Sequence, residues 1–81
     1  MVDRMTDEVL AQRAKEGDLR AFEELFHRYK KRILNFLYRM LGNRETAEDV
    51  AQDAFMRAYD NLAAYDPERK FATWLYTIAR N

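Results

Sequence analysis

Between positions 22 and 41, Phe22, Leu25, Phe26, Tyr29, Ile33, Phe36, Leu37, Met40 and Leu41 fall at three- and four-residue spacings. That is the period of an α-helix with one apolar side, sustained over roughly six turns. A helix so long and so one-sided is the core element of a small all-α domain. No β-strand alternation elsewhere persists long enough to compete with it.

Punctuation divides the rest. Only Gly17, Gly42 and Pro67 interrupt an otherwise helical pattern. Thr6 is a good N-cap, with Asp7 and Glu8 in the first turn, so a first helix starts after Thr6 and stops at Gly17 in a left-handed conformation. Asp18 caps the central helix and Gly42 ends it. Asn43 caps a third helix running to about Leu62, with a buried stripe of Ala47, Val50, Ala51, Ala54, Ala58 and Leu62, and with Phe55 and Tyr59 at its edge. So many alanines imply close helix packing. Residues 63–70 contain Asp66-Pro67, where the residue before proline is pushed out of helical geometry, so a loop is expected there. Alternatively, Asp66 caps a helix with Pro67 at its first position. A last helix starts at about Phe71, with Phe71, Trp74, Leu75 and Ile78 on one face.

Several functions are disfavoured by what is missing. At 81 residues the chain holds one domain near the lower size for an unstapled core. It has no cysteine, and His27 is its one histidine, so thiolate metal sites have no donor and no histidine cluster can be assembled from this chain alone. There is no glycine-rich phosphate loop, and Glu24-Leu25-Phe26-His27 supplies the Glu-x-x-His spacing of a di-metal bundle only once. No apolar run approaches the roughly 20 residues of a membrane span, and the N-terminus lacks the order of a secretory signal. A soluble, cytoplasmic protein without catalytic activity, metal or cofactor is expected. Fourteen basic and fourteen acidic residues cancel. Affinity for nucleic acid comes mostly from neutralised phosphates, so a neutral chain needs help to approach DNA.

The distribution of charge says more than the sum. Residues 44–60 carry five acids against two arginines, whereas residues 66–81 carry Arg69, Lys70 and Arg80 against Asp66 and Glu68. In the acidic segment Asp49, Gln52, Asp53 and Met56 sit at i, i+3, i+4 and i+7, on one surface opposite the alanines. A solvated outer face needs only charge. An amide and an outward methionine beside two acids suit a basic helical partner, although an ordinary acidic surface has the same outline. The basic cluster Arg28, Lys30, Lys31 and Arg32 of the central helix reads as a solvated face, with a contact to polymerase or DNA as the alternative.

The basic segment supplies what binding of a single strand requires, aromatic surfaces to stack on and cations to follow the backbone. Phe71, Trp74 and Tyr76 cannot all face one core, because Tyr76 lies roughly 200° around the helix from Trp74. At least one ring is therefore expected to look outward.

The run Glu48-Asp49-Val50-Ala51-Gln52-Asp53-Ala54-Phe55-Met56-Arg57-Ala58-Tyr59, with Phe71-Ala72-Thr73-Trp74-Leu75-Tyr76-Thr77-Ile78-Ala79, resembles region two of bacterial sigma factors, specifically the extracytoplasmic-function group. Gly17-Asp18-Leu19-Arg20-Ala21-Phe22 and Tyr38-Arg39-Met40-Leu41-Gly42-Asn43 fit the same family in the same order. The resemblance implies a compact bundle of four helices over residues 1–81. It also implies that the acidic helix binds the clamp coiled coil of the β′ subunit of core RNA polymerase, through Asp49, Gln52, Asp53 and Met56. The basic element would then recognise and help melt the promoter minus-ten sequence, capturing an unpaired non-template base. On that reading Tyr65 lines the base pocket, Phe71, Trp74 and Tyr76 offer aromatic surfaces, Lys70 and Arg80 contact phosphates, Asn81 reads a base edge, and Asn61 stands at the loop entrance. An anti-sigma factor covering the same faces is a further implied partner. Primary sigma factors carry a second tryptophan after the first, where this chain has Leu75, which implies weaker melting and greater dependence on promoter match. A C-terminal helix-turn-helix domain is absent, and the helical pattern still runs at Asn81, so a piece of a longer protein is expected. The rival reading is a helical adaptor that binds protein alone.

Overall fold

The structure, a computed structural model, describes residues 4–81. Four α-helices follow in order: α1 Asp7–Lys15, α2 Leu19–Leu41, α3 Arg44–Asp60 and α4 Phe71–Arg80, with a 3-10 turn at Leu62–Ala64. The expected all-α bundle of four helices is thus the fold observed. Its boundaries are local in origin. Thr6, Asp18 and Asn43 each accept a hydrogen bond from the backbone N–H three residues on, at 3.1, 3.3 and 3.0 Å, which satisfies a donor the first turn leaves unpaired. Gly17 and Gly42 adopt φ of 102° and 72° and close α1 and α2 in the left-handed region.

Helix α2 runs through the middle and touches the other three. Its buried residues, Ala21, Leu25, Tyr29, Ile33 and Leu37, recur every four positions. At about 100° per residue that stripe drifts some 40° per step, so it winds around the helix and serves neighbours on more than one side. Helix α3 lies antiparallel to it: Phe22 meets Tyr59 and Phe26 meets Phe55, with ring centroids 5.1 and 4.9 Å apart. Ala47, Ala51, Ala54 and Ala58 are the buried face of α3, and side chains that end at Cβ let the two helix axes approach closely. Helix α4 runs parallel to α2, with Tyr29 against Phe71 and Phe36 against Tyr76.

Three expectations need correction. Phe26, Met40 and Leu41 are not core residues; they are 38%, 50% and 43% exposed. The helical period places them on α2 but cannot tell which flank the neighbours will cover. Phe55, expected at the edge of α3, is buried. Asp66 does not cap a helix: its carboxylate accepts from the Glu68 N–H at 2.9 Å, and Arg69 N–H donates to Asp66 O, so the segment turns as a loop.

Candidate functional site

Two faces carry the residues of interest. The first is the outer side of α3 and the groove beside it. Asp49, Gln52, Asp53 and Met56 are all exposed, Met56 by 59%. Asp53 accepts from Arg57 Nε at 2.9 Å, an exposed pair one helical turn apart that contributes little stability and is readily exchanged for a partner's cation. Asp49 and Gln52 make no side-chain hydrogen bond among the described residues.

Gln52 and Met56 also form one wall of an apolar groove of about 750 Å³ between α2 and α3. Its floor is Phe22, Phe26 and Phe55, with Leu19 and Leu34 from α2 on the far side. The Lys30 ammonium stands 5.9 Å from the centroid of the Phe26 ring at the rim. Leu19, Phe26, Met56 and Tyr59 are exposed in it by 55, 38, 59 and 49%. Sequence reasoning found the α3 wall and missed the α2 wall. The signal was present: Leu19, Phe22 and Phe26 repeat at three and four residues, but offset from the Ala21-Leu25-Tyr29 stripe.

The second face is the loop before α4 and the outward side of α4. Arg69, Lys70, Thr73, Trp74 and Thr77 surround a concavity of about 380 Å³. Of the expected residues, Lys70 and Trp74 meet there. Arg69, Thr73 and Thr77 complete it. The two threonines stand one turn apart beside Lys70 and Trp74, a spacing that marks one helix face. Thr77 Oγ1 donates to Thr73 O at 2.8 Å, which leaves its lone pairs outward.

The other expected residues lie elsewhere. Tyr65 and Phe71 are 0% and 1% exposed, so neither ring offers a face to a base in this structure. The Tyr65 hydroxyl donates to Arg69 O at 2.5 Å, and its ring packs on Phe71 and Trp74 at 5.8 and 5.1 Å. Burial, with the carboxylates of Glu8 and Asp66 adding to it, pushes its hydroxyl up to about 12. Tyr76 is half-buried against Phe36. Of the three rings of α4, Trp74 is the one that looks outward, half-buried against the loop and open at the concavity, whereas Phe36 of α2 half-covers Tyr76. Asn61, Arg80 and Asn81 are exposed but form no part of the concavity. Asn61 spends one amide hydrogen on Arg57 O at 2.8 Å.

Away from both faces' lining, Asp7 ties α1 to α2. It accepts from Arg28 Nη1 at 2.9 Å and from the Tyr29 hydroxyl. Burial and the Asp7 carboxylate raise the Tyr29 hydroxyl well above the ordinary phenol value. Burial works against the Arg28 charge, but bonds to Asp7 and Glu24 outweigh it and raise its pKa further. No group of acidic or histidine side chains placed to hold a metal occurs among the described residues, and no described helix is long and apolar enough to cross a membrane.

Residues 25–81 match the model of sigma-70 region 2. The chain belongs to the sigma-70 region 2 family. Within that family it falls in the extracytoplasmic-function group. It is 54% identical over 67 residues to the ECF RNA polymerase sigma factor SigW of Bacillus subtilis, covering 83% of this chain and 36% of that protein. It is 40% identical over all 81 residues to the RNA polymerase sigma-H factor of Pseudomonas aeruginosa, or 42% of that protein. The chain thus spans about two-fifths of the length of the curated relatives it matches. A solved structure, an engineered region 2 of sigmaE in complex with GTAAAA, superposes with a TM-score of 0.90 at 41% identity, covering 100% of this chain and 84% of that one.

Proposed function

We propose that this region 2 domain docks on core RNA polymerase through the α2/α3 groove and reads the single-stranded minus-ten element of promoters through the α4 face, so that transcription starts at chosen sites. The observation that carries the DNA half is the superposition, over the whole chain, on a region 2 whose solved structure is a complex with GTAAAA. The groove supports the polymerase half: it is apolar at its floor, has Asp49, Gln52 and Asp53 along its α3 side, and suits a partner helix with an apolar ridge and basic flanks.

The division of labour follows from charge. A domain with no net charge gains little from phosphates by itself, and docking brings it beside the polymerase's own basic channel. Lys70 and Arg69 then follow the strand. An unstacked base costs a few kcal/mol, offset by stacking against Trp74 and by hydrogen bonds at the concavity. The chain does no chemistry in this scheme; the polymerase does. An anti-sigma protein of the cytoplasm that covers the groove would silence the domain.

Calorimetric titration with the isolated β′ clamp coiled coil tests this reading. Micromolar or better affinity, on the order of −8 kcal/mol, is expected, and it is lost in an Asp49→Ala, Gln52→Ala, Asp53→Ala variant of unchanged helicity. No binding by the folded, unaltered chain would favour a helical adaptor of another kind.

A further inference from the structure

The loop that leads into α4 is held at both ends by the same distant helix. At its entry Lys15 Nζ donates to Tyr65 O at 2.7 Å, and at its exit the Phe71 N–H donates to Glu8 Oε2 at 2.9 Å. Glu8 and Lys15 stand seven positions apart on α1, hence on one side of it and about 10 Å from each other along the axis. Helix α4 begins without a side-chain cap from Lys70. Glu8 instead accepts from the first amide of α4, one of the donors its first turn leaves unpaired, and its carboxylate also meets the positive end of the helix dipole. Between these anchors the loop closes on itself, through Tyr65 to Arg69 O and through Asp66 to the backbone of Glu68 and Arg69.

We propose that Glu8 and Lys15 are positioning residues for the base-reading face: by pinning the two ends of the 65–71 segment they fix where Arg69, Lys70 and Trp74 stand, and so set discrimination between bases from outside the DNA-contacting segment. The proposal rests on the DNA reading given above. Residues 66 and 68–70 are exposed, so between the buried rings of Tyr65 and Phe71 the stretch has little buried surface of its own to hold it in one shape. Apolar packing anchors those two rings, and α1 adds the polar ties that fix the backbone at each end. Discrimination by hydrogen bonds at a base edge depends on donors held to a fraction of an ångström, whereas clamp docking at the α2/α3 groove does not involve this loop.

The test compares the unaltered chain with Glu8→Ala, Glu8→Gln, Lys15→Met and Lys15→Arg. Three readouts are taken: binding to GTAAAA and its single-base variants as fluorescent single strands, binding to the clamp coiled coil, and hydrogen exchange of the Phe71 amide. Glu8→Ala and Lys15→Met are expected to weaken the best hexamer by about fivefold and to narrow the spread between hexamers by a similar factor. Their clamp affinity should stay within about twofold, and the Phe71 amide should exchange faster in Glu8→Ala. Lys15→Arg and Glu8→Gln, which keep a donor or an acceptor, should restore most of the discrimination. Unchanged discrimination in Glu8→Ala despite faster exchange at Phe71 overturns the proposal. So does a parallel loss of clamp and hexamer binding in all four variants, which would make the anchors merely structural. If the unaltered chain distinguishes no hexamer, the DNA reading itself fails; exchange at Phe71 then decides whether Glu8 holds the loop at all, and unchanged exchange in Glu8→Ala refutes the pinning too.

Discussion

The buried phenol of Tyr65 is the floor under the half-buried indole of Trp74, with centroids 5.1 Å apart and planes inclined at 56°. The stacking surface proposed for Trp74 is useful only if it does not move, and the rings of Tyr65 and Phe71 back it. Tyr65→Phe keeps the ring and removes the bond to Arg69 O, so it should cost about 1 kcal/mol of stability. Tyr65→Ala removes the floor and should cost about 3–5 kcal/mol. Urea denaturation of the two variants separates these outcomes.

The same tyrosine makes stability depend on alkaline pH. Burial first, and then carboxylates, raise the hydroxyls of Tyr65, to about 12, and of Tyr29. Unfolded phenols titrate near 10. The native state therefore holds its phenolic protons more tightly, and the stability this brings is complete below about pH 10 and lost as pH climbs from there. For Tyr65 alone the loss by about pH 12 is on the order of 2–3 kcal/mol. A plot of Tm against pH should bend downward above about pH 10, and Tyr65→Phe should flatten the bend.

Two neighbours on α2 should behave oppositely. Leu25 is 1% exposed and Phe26 is 38% exposed at the groove. Leu25→Ala should cost about 2–5 kcal/mol of folding stability. Phe26→Ala should cost folding far less and should instead weaken clamp binding by about 1 kcal/mol or more, as a groove anchor does. Denaturation and calorimetry on both variants check the crossover.

Salt titration separates the two kinds of contact proposed for α4. Lys70→Gln should lower the slope of log affinity for a single strand against log salt by about 0.7, the loss of one phosphate contact. Trp74→Ala should leave that slope unchanged while removing about 1–3 kcal/mol of stacking.

Much of the fold was legible because its signals are local. Thr6, Asp18 and Asn43 bond to amides three residues away, and Gly17 and Gly42 stop helices by their own φ. Part of the α3 wall of the groove was legible for the same reason: of four residues at helical spacing, Gln52 and Met56 line it, while Asp49 and Asp53 stand on the exposed surface beside it. What stayed hidden was set by residues distant in sequence. Tyr65 sits among alanine and aspartate in a loop and reads as exposed, yet α1 reaches across 50 positions to hold it, through Lys15, and its ring closes over Phe71. Tyr76 reads as outward until α2 is laid against it with Phe36. Phe26 reads as core because its period is right, and only the placement of α3 shows that Phe26 and Phe55 share the bottom of a channel.

Leu75 is 0% exposed, so the position where primary sigma factors carry a second tryptophan points into the core here. Leu75→Trp should overpack the bundle and cost about 1–3 kcal/mol or more, without adding an outward ring. Thermal denaturation, with near-ultraviolet circular dichroism to report the new indole's surroundings, checks this.

The alanine face of α3 acts as a ruler. Ala47, Ala54 and Ala58, each 0% exposed, lie on the covered face of α3, and the thickness of their methyl groups sets how closely that helix sits on its neighbours, and with it where the α3 wall of the channel stands. A valine at any of them would push that wall out of place. Selection for a good fit to whatever the channel receives would then be visible at positions that line none of it.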